Sequence, residues 1–128
     1  MAKFGNIISA DLTSESADEL KNFYGVVIGW QFSEVAMGNE THKYNDYSAL
    51  DSDGAQVGGV CHKRGFNSDQ PGGWMVYFNV ENVRNSIDAC EKSGGAIVKQ
   101  VSGEDGTPVF AVLKDPEGNN FAVISQPD

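Results

Sequence analysis

Apolar-rich stretches at Asn6–Leu12 and Trp74–Val80 each precede a polar segment and then apolar residues at helical spacing. In the first half, Ser16-x-x-Glu19 has the form of a capping box, and Ala17, Leu20, Phe23, Tyr24 and Val27 recur on one helical stripe. Gly29 suits the left-handed position that closes such a helix. Strands are predicted at Trp30–Val35, Tyr44–Leu50 and Gln56–His62. In the second half, Asn82 is placed to cap a helix with Val83, Ile87 and Cys90 on one face, and Gly94-Gly95 ends it. Strands follow at Ala96–Val101, Val109–Lys114 and Asn120–Ser125. Each half therefore reads β-α-β-β-β. The halves also share a polar turn that feeds a strand: Asp51-Ser52-Asp53-Gly54-Ala55-Gln56-Val57 parallels Asp115-Pro116-Glu117-Gly118-Asn119-Asn120-Phe121. The expected architecture is α+β: two βαβββ modules, with curved mixed sheets enclosing a cleft and helices on the outer faces. Module one covers about residues 1–63 and module two about 74–128 of a single domain.

Composition narrows the partners. The 128 residues carry 9 Lys+Arg against 18 Asp+Glu, a net charge of −9. Nucleic-acid backbones and anionic membrane surfaces both select cationic faces, so neither is an expected partner. No apolar run approaches the roughly 20 residues that span a bilayer, and the N-terminus lacks the pattern of a secretory signal. Two cysteines, Cys61 and Cys90, are too few for a disulfide scaffold. A reduced, cytoplasmic protein is expected, with one bridge between them left open.

Three motifs carry a family resemblance. Phe23-Tyr24-Gly25-Val26-Val27-Ile28-Gly29-Trp30 resembles an "FY…lGW" helix end, Trp74–Val80 a module-opening strand, and Asp115-Pro116-Glu117-Gly118-Asn119 a "DPxGN" turn. In this order they resemble the vicinal oxygen chelate superfamily of glyoxalase I, bleomycin-resistance proteins and extradiol dioxygenases. Gly58-Gly59-Val60-Cys61-His62-Lys63-Arg64-Gly65-Phe66-Asn67, followed by Pro71 and Trp74, resembles a bacterial glyoxalase-like subgroup within it. The resemblance implies the doubled fold, a homodimer and, in metal-dependent members, four His, Gln or Glu ligands on the concave sheet faces. Those positions fall here on Ser9, Gly58, Met75 and Ala122, which cannot build the N/O shell of a divalent metal. No metal and no cofactor are therefore expected.

What remains to line the cleft follows from strand alternation. Ile7, Ser9 and Asp11 are expected on the concave face of the first strand, Met75, Tyr77 and Asn79 on the fifth, and Asn120, Ala122 and Ile124 on the last. On the fourth, Gly58, Val60 and His62 are expected there, with Cys61 turned toward the helix. Asp11 is the sharpest candidate: an inward carboxylate can accept a proton or a ligand hydrogen bond, or can simply pair with Tyr77. His62 offers acid–base chemistry or a strand-end hydrogen bond. Arg64 offers a bidentate clamp for an anionic group, or a loop contact. The candidate ligand-binding set is Asp11, His62, Tyr77, Met75 and Arg64, and the sequence assigns no catalytic residue. Three functions stay open: a glyoxalase- or bleomycin-resistance-like protein binding a small molecule in a metal-free cleft, a metal-free enzyme using Asp11, His62 and Tyr77, and a metal-dependent lyase or dioxygenase whose ligands lie elsewhere.

Overall fold

The computed structural model describes residues 3–126. In chain order the elements are β1 (Ile7–Ser14), α1 (Ala17–Ile28), β2 (Gln31–Gly38), β3 (Lys43–Leu50), β4 (Gln56–His62), a 3-10 turn (Gly65–Asn67), β5 (Gly73–Asn79), α2 (Val83–Lys92), β6 (Ala96–Ser102), β7 (Pro108–Lys114) and β8 (Asn120–Ile124). This is an α+β chain with two βαβββ passes. It divides into two compact units. One runs from Ser9 to Trp74, and the other joins Met75 onward to the residues up to Ile8.

In the Ser9–Trp74 unit the strand order is β2-β3-β4-β1. Both β2/β3 and β3/β4 are antiparallel, whereas β4 pairs with β1 in parallel. Leu12 and Val60, opposite each other in that parallel pair, pack with Ala17 of α1, and Leu20, Tyr24, Phe32 and Tyr47 close around them. Gly29 ends α1 at φ 90°, and its N–H returns to the Gly25 carbonyl. The start of α1 corrects an expectation. Ser16 makes no side-chain cap; instead the Ser14 hydroxyl accepts the Ser16 N–H at 2.9 Å. The helical stripe is also wider than the face it buries. Phe23 and Val27 lie on it in sequence but are 54% and 62% exposed.

The other unit repeats the topology as β5-β8-β7-β6, with β5/β8 parallel and the remaining pairs antiparallel. Val83 and Ile87 of α2 pack on Ala111, Leu113 and Val123. Burying such side chains stabilises by roughly 1.5–3 kcal/mol each. Asn82 caps α2 as expected, its Oδ1 accepting the Asn85 N–H at 3.0 Å. Asn79 explains why the first residues of the chain belong here. Its backbone N–H donates to the Asn6 carbonyl at 2.8 Å and its carbonyl accepts the Gly5 N–H. Its side-chain amide donates to the carbonyls of Lys3 and Gln126 and accepts the Gln126 N–H. Asn79 is thus a clasp between chain segments.

The repeated turn is the same object twice. Asp51 Oδ1 accepts the N–H groups of Asp53 and Ala55, and Asp115 Oδ1 accepts those of Glu117 and Asn119. Gly54 and Gly118 follow at φ 82° and 88°, where a side chain would be strained. Each carboxylate does locally what a strand partner would otherwise do, so the turn forms from its own residues.

Candidate functional site

The pairing of β1 with β4 decides which face each candidate occupies. Residues directly opposite in a ladder project to the same side. Asp11 stands opposite Gly59, and Thr13 opposite Cys61. Leu12 and Val60 take the α1 side, so Asp11, Gly59, Thr13 and Cys61 share the side away from the helix. A Cβ at Gly59 would lie 2.9 Å from Asp11 Oδ1; the glycine leaves the room in which the Asp11 carboxylate sits.

The fourth strand therefore reverses the expected facing. Val60 and His62 point toward α1, and Cys61 is the residue beside Asp11. Nothing in Gly58-Gly59 marks a face, because neither residue has a side chain, and a slip of one exchanges the two sides. The register with β1 supplies the missing information. By the same register Gly58 lies opposite Ala10 and not beside Asp11.

His62 is buried and held at both ring nitrogens. Nδ1 lies 3.3 Å from Asp46 Oδ1, and Nε2 lies 3.5 Å from Asp18 Oδ1 in the first turn of α1. The same Asp46 oxygen accepts the His62 backbone N–H at 2.8 Å. Asp18 also accepts a short hydrogen bond from the Tyr47 hydroxyl, and the Lys21 ammonium lies 4.7 Å over the Tyr47 ring. The Tyr47 bond above all holds the Asp18 carboxyl below its usual range; burial opposes it, and the nearby His62 and Lys21 add to the lowering. The bond to Asp18 and, after it, burial push the Tyr47 phenol up to about 12. This network ties β3, β4 and α1 together. Sequence reasoning missed Asp46, Tyr47 and Asp18 as partners of His62, because they meet it only through the strand register and the seating of α1.

Cys61 is a thiol in a setting that disfavours its anion. Burial pushes it up to about 12, with the Asp11 and Asp46 carboxylates acting in the same direction. A nucleophile needs the opposite setting, a thiolate beside positive charge. Both cysteines are free thiols.

Arg64 lies with its guanidinium 4.1 Å over the Tyr44 ring, and the Tyr44 hydroxyl donates to the Arg64 carbonyl at 3.2 Å. Tyr44 meets His62 edge-on, so Arg64 and His62 are bridged by one aromatic ring. In the other unit, Met75 is buried with Val112 and Ala122 on the side away from α2, and Tyr77 stacks on Phe110 with centroids 5.6 Å apart. The expected facing of β5 and β8 holds there. The structure thus groups Met75 with Tyr77, and His62 with Arg64, and it sets Asp11 and His62 on opposite faces of β1/β4.

The donor set does not fit a divalent metal at the family positions. Ser9 and the neighbouring glycines of β4 occupy one unit, and Met75 and Ala122 the other; none supplies imidazole or carboxylate. Among the described residues no group of three or more His, Cys, Asp or Glu side chains is arranged to hold a metal ion. Among the same residues no helix is long and apolar enough to cross a membrane.

Comparison with known proteins fixes the class. A family model described as a glyoxalase-like domain matches residues 8–124, both modules together. A glyoxylase-named protein, CFP32 of Mycobacterium bovis, is 30% identical over 122 residues, which is 94% of this chain and 44% of that protein. The chain thus spans less than half the length of this mycobacterial relative. A glyoxylase-like domain-containing protein of Didymella fabae is 27% identical over 128 residues, 99% of this chain and 98% of its own length. Among solved structures, the hypothetical protein BH1468 of Bacillus halodurans aligns with a TM-score of 0.59 at 11% identity, covering 98% of this chain and 97% of that one. Methylmalonyl-CoA epimerase of Streptomyces coelicolor, in complex with 2-nitronate-propionyl-CoA, aligns with a TM-score of 0.56 at 13% identity, covering 98% and 100%. At these identities the structural likeness concerns the fold alone. The chain belongs to the glyoxalase-like domain family, within the vicinal oxygen chelate superfamily.

Proposed function

We propose that this protein binds a small molecule on the sheet face that carries Asp11, without a divalent metal at the family positions. The observation that carries the reading is the Asp11 carboxylate, half-buried on the face away from α1, in space left by Gly59 and beside the Cys61 thiol. A carboxylate there selects a ligand group that donates hydrogen bonds. Within the other unit, Met75 and Tyr77 are candidates in their own right, on the side of its sheet away from α2. Arg64 remains a candidate for an anionic group, at the cost of its contact with Tyr44.

The acid–base alternative loses its central pair, since Asp11 and His62 face opposite sides of the strands they share. The metal-dependent alternative lacks donors at the family positions. A homodimer fits the apolar residues that α1 leaves outside: Val26 is 87% exposed, with Phe23, Val27 and Ile28 around it. Two free thiols fit the reducing cytoplasm.

The test is a thermal-shift screen of small metabolites against the wild type and Asp11→Asn, which keeps the shape and removes the charge. The expected result is a compound that raises the Tm of the wild type by several degrees and that of the variant by much less. A ligand at a hundred times its Kd adds about 2.7 kcal/mol of stability, so the difference is readily resolved. Equal stabilisation of both proteins overturns the assignment of Asp11. Sedimentation equilibrium showing only monomer at micromolar concentration overturns the homodimer.

A further inference from the structure

The two modules are related by an offset of 66, which carries Ala17, the first residue of α1, onto Val83, the first of α2. The same offset carries Leu20, Phe23, Tyr24 and Val27 onto Ser86, Ala89, Cys90 and Ser93. Four large apolar positions become four small ones. In the first module Leu20 and Tyr24 close the space between helix and sheet. In the second, all four small residues line a cavity of about 450 Å³ between α2 and its sheet. Its floor is Leu113, Phe121 and Val123, of which Leu113 is 1% exposed. Ala89 and Ser93 are exposed at the mouth, so the space opens to solvent.

We propose that this cavity is a second binding site, distinct from the Asp11 face, and that it takes a neutral apolar molecule of about the size of a bicyclic aromatic. Its walls set the chemistry. The one carboxylate among the lining residues, Asp115, is engaged in its own turn by the N–H groups of Glu117 and Asn119 and by the Asn119 amide. The Cys90 thiol lies 3.6 Å from the Lys114 carbonyl and 3.9 Å from that of Ala96. Among the described residues no cationic side chain lines the space. A charged ligand would lose its hydration there and find no counter-charge, whereas apolar surface gains from leaving water. A cavity of roughly 150 Å³ lined by aliphatic and aromatic side chains takes one benzene ring. The volume here is about three times that, enough for two fused rings without displacing the floor.

Indole is the probe. The intact protein is titrated with it while the methyl resonances of Leu113 and Val123 are followed by NMR, with those of Leu12 and Val60 in the other unit as reference. Saturable shifts confined to Leu113 and Val123 are expected. The double variant Ser86→Leu/Ala89→Phe restores the side chains of the first module and is expected to weaken binding at least ten-fold. Cys90→Ala, which widens the cavity, is expected to retain binding and keeps the test valid if the filled variant does not fold. The proposal is overturned by absence of saturable shifts, by shifts centred on Leu12 and Val60, or by binding that survives the filled variant. It is also overturned if binding falls as protein concentration rises, since a second copy would then occupy the cavity.

Discussion

Asp46 is the most exposing place to perturb the His62 network. Its carboxylate is buried and accepts the His62 backbone N–H at 2.8 Å, while the same oxygen lies 3.3 Å from Nδ1 of the ring. Asp46→Ala removes the one oxygen that serves both contacts. The stranded N–H costs roughly 1–3 kcal/mol, since it is buried and no water replaces the carboxylate without rearrangement. The lost ring contact adds about 1 kcal/mol. A total near 3 kcal/mol is expected, which for a chain of this length lowers Tm by about 10 °C. Asp46→Asn keeps a carbonyl oxygen for the backbone N–H and loses only the charge, so about 1 kcal/mol is expected. The assay is urea unfolding of both variants, alone and with His62→Ala. Because the first acceptor contact is to backbone, most of the Asp46→Ala loss must persist when the imidazole is gone. The reasoning is refuted if the Ala and Asn variants lose the same stability, if Asp46→Ala costs under about 1 kcal/mol, or if His62→Ala abolishes its effect.

Three further outcomes follow from the same geometry. Of four tyrosines, Tyr47 titrates near 12 where its ordinary value is 10.0. Its folded value is raised, so the bond to Asp18 stabilises fully below pH 10.0 and the contribution is lost as pH rises toward 12. Near-UV absorbance should show this late phenol, and Asp18→Asn should bring it down. The rise of the Cys61 thiol from an ordinary value of 9.0 to about 12 reduces the reactive thiolate at neutral pH on the order of a thousand-fold. In a Cys90→Ala background the folded protein should therefore react with a thiol reagent far more slowly than the unfolded chain, and equal rates would contradict the buried setting. Gly95→Ala places a Cβ 2.4 Å from the Cys90 sulfur and 2.5 Å from the Lys114 carbonyl oxygen. Such overpacking costs about 1–3 kcal/mol, and Cys90→Ala should restore only part of it, because the carbonyl remains; full recovery in denaturant unfolding would show that the sulfur alone is the obstacle.

Local chemistry was readable from the chain itself. The Asp51 and Asp115 turns are each held by their own carboxylate and glycine, the Asn82 cap by its own side chain, and the end of α1 by Gly29. These features close within a few residues, so sequence determines them, and their repetition gave the two βαβββ passes. The facing of β5 and β8 was also legible, because Met75, Ala122 and the residues around them alternate with side chains that pack on α2. The candidate site was less so. Gly58-Gly59 gives alternation nothing to act on, and a buried imidazole after Val60 reads from sequence as a polar residue for the cleft. Only the parallel register with β1 turned His62 toward Asp18 and set Cys61 beside Asp11. The stripe on α1 likewise promised burial for Phe23 and Val27 that the sheet does not provide. Periodicity states which residues share a face; how much of that face is covered depends on what packs against it, and that is settled by contacts between segments far apart in the chain.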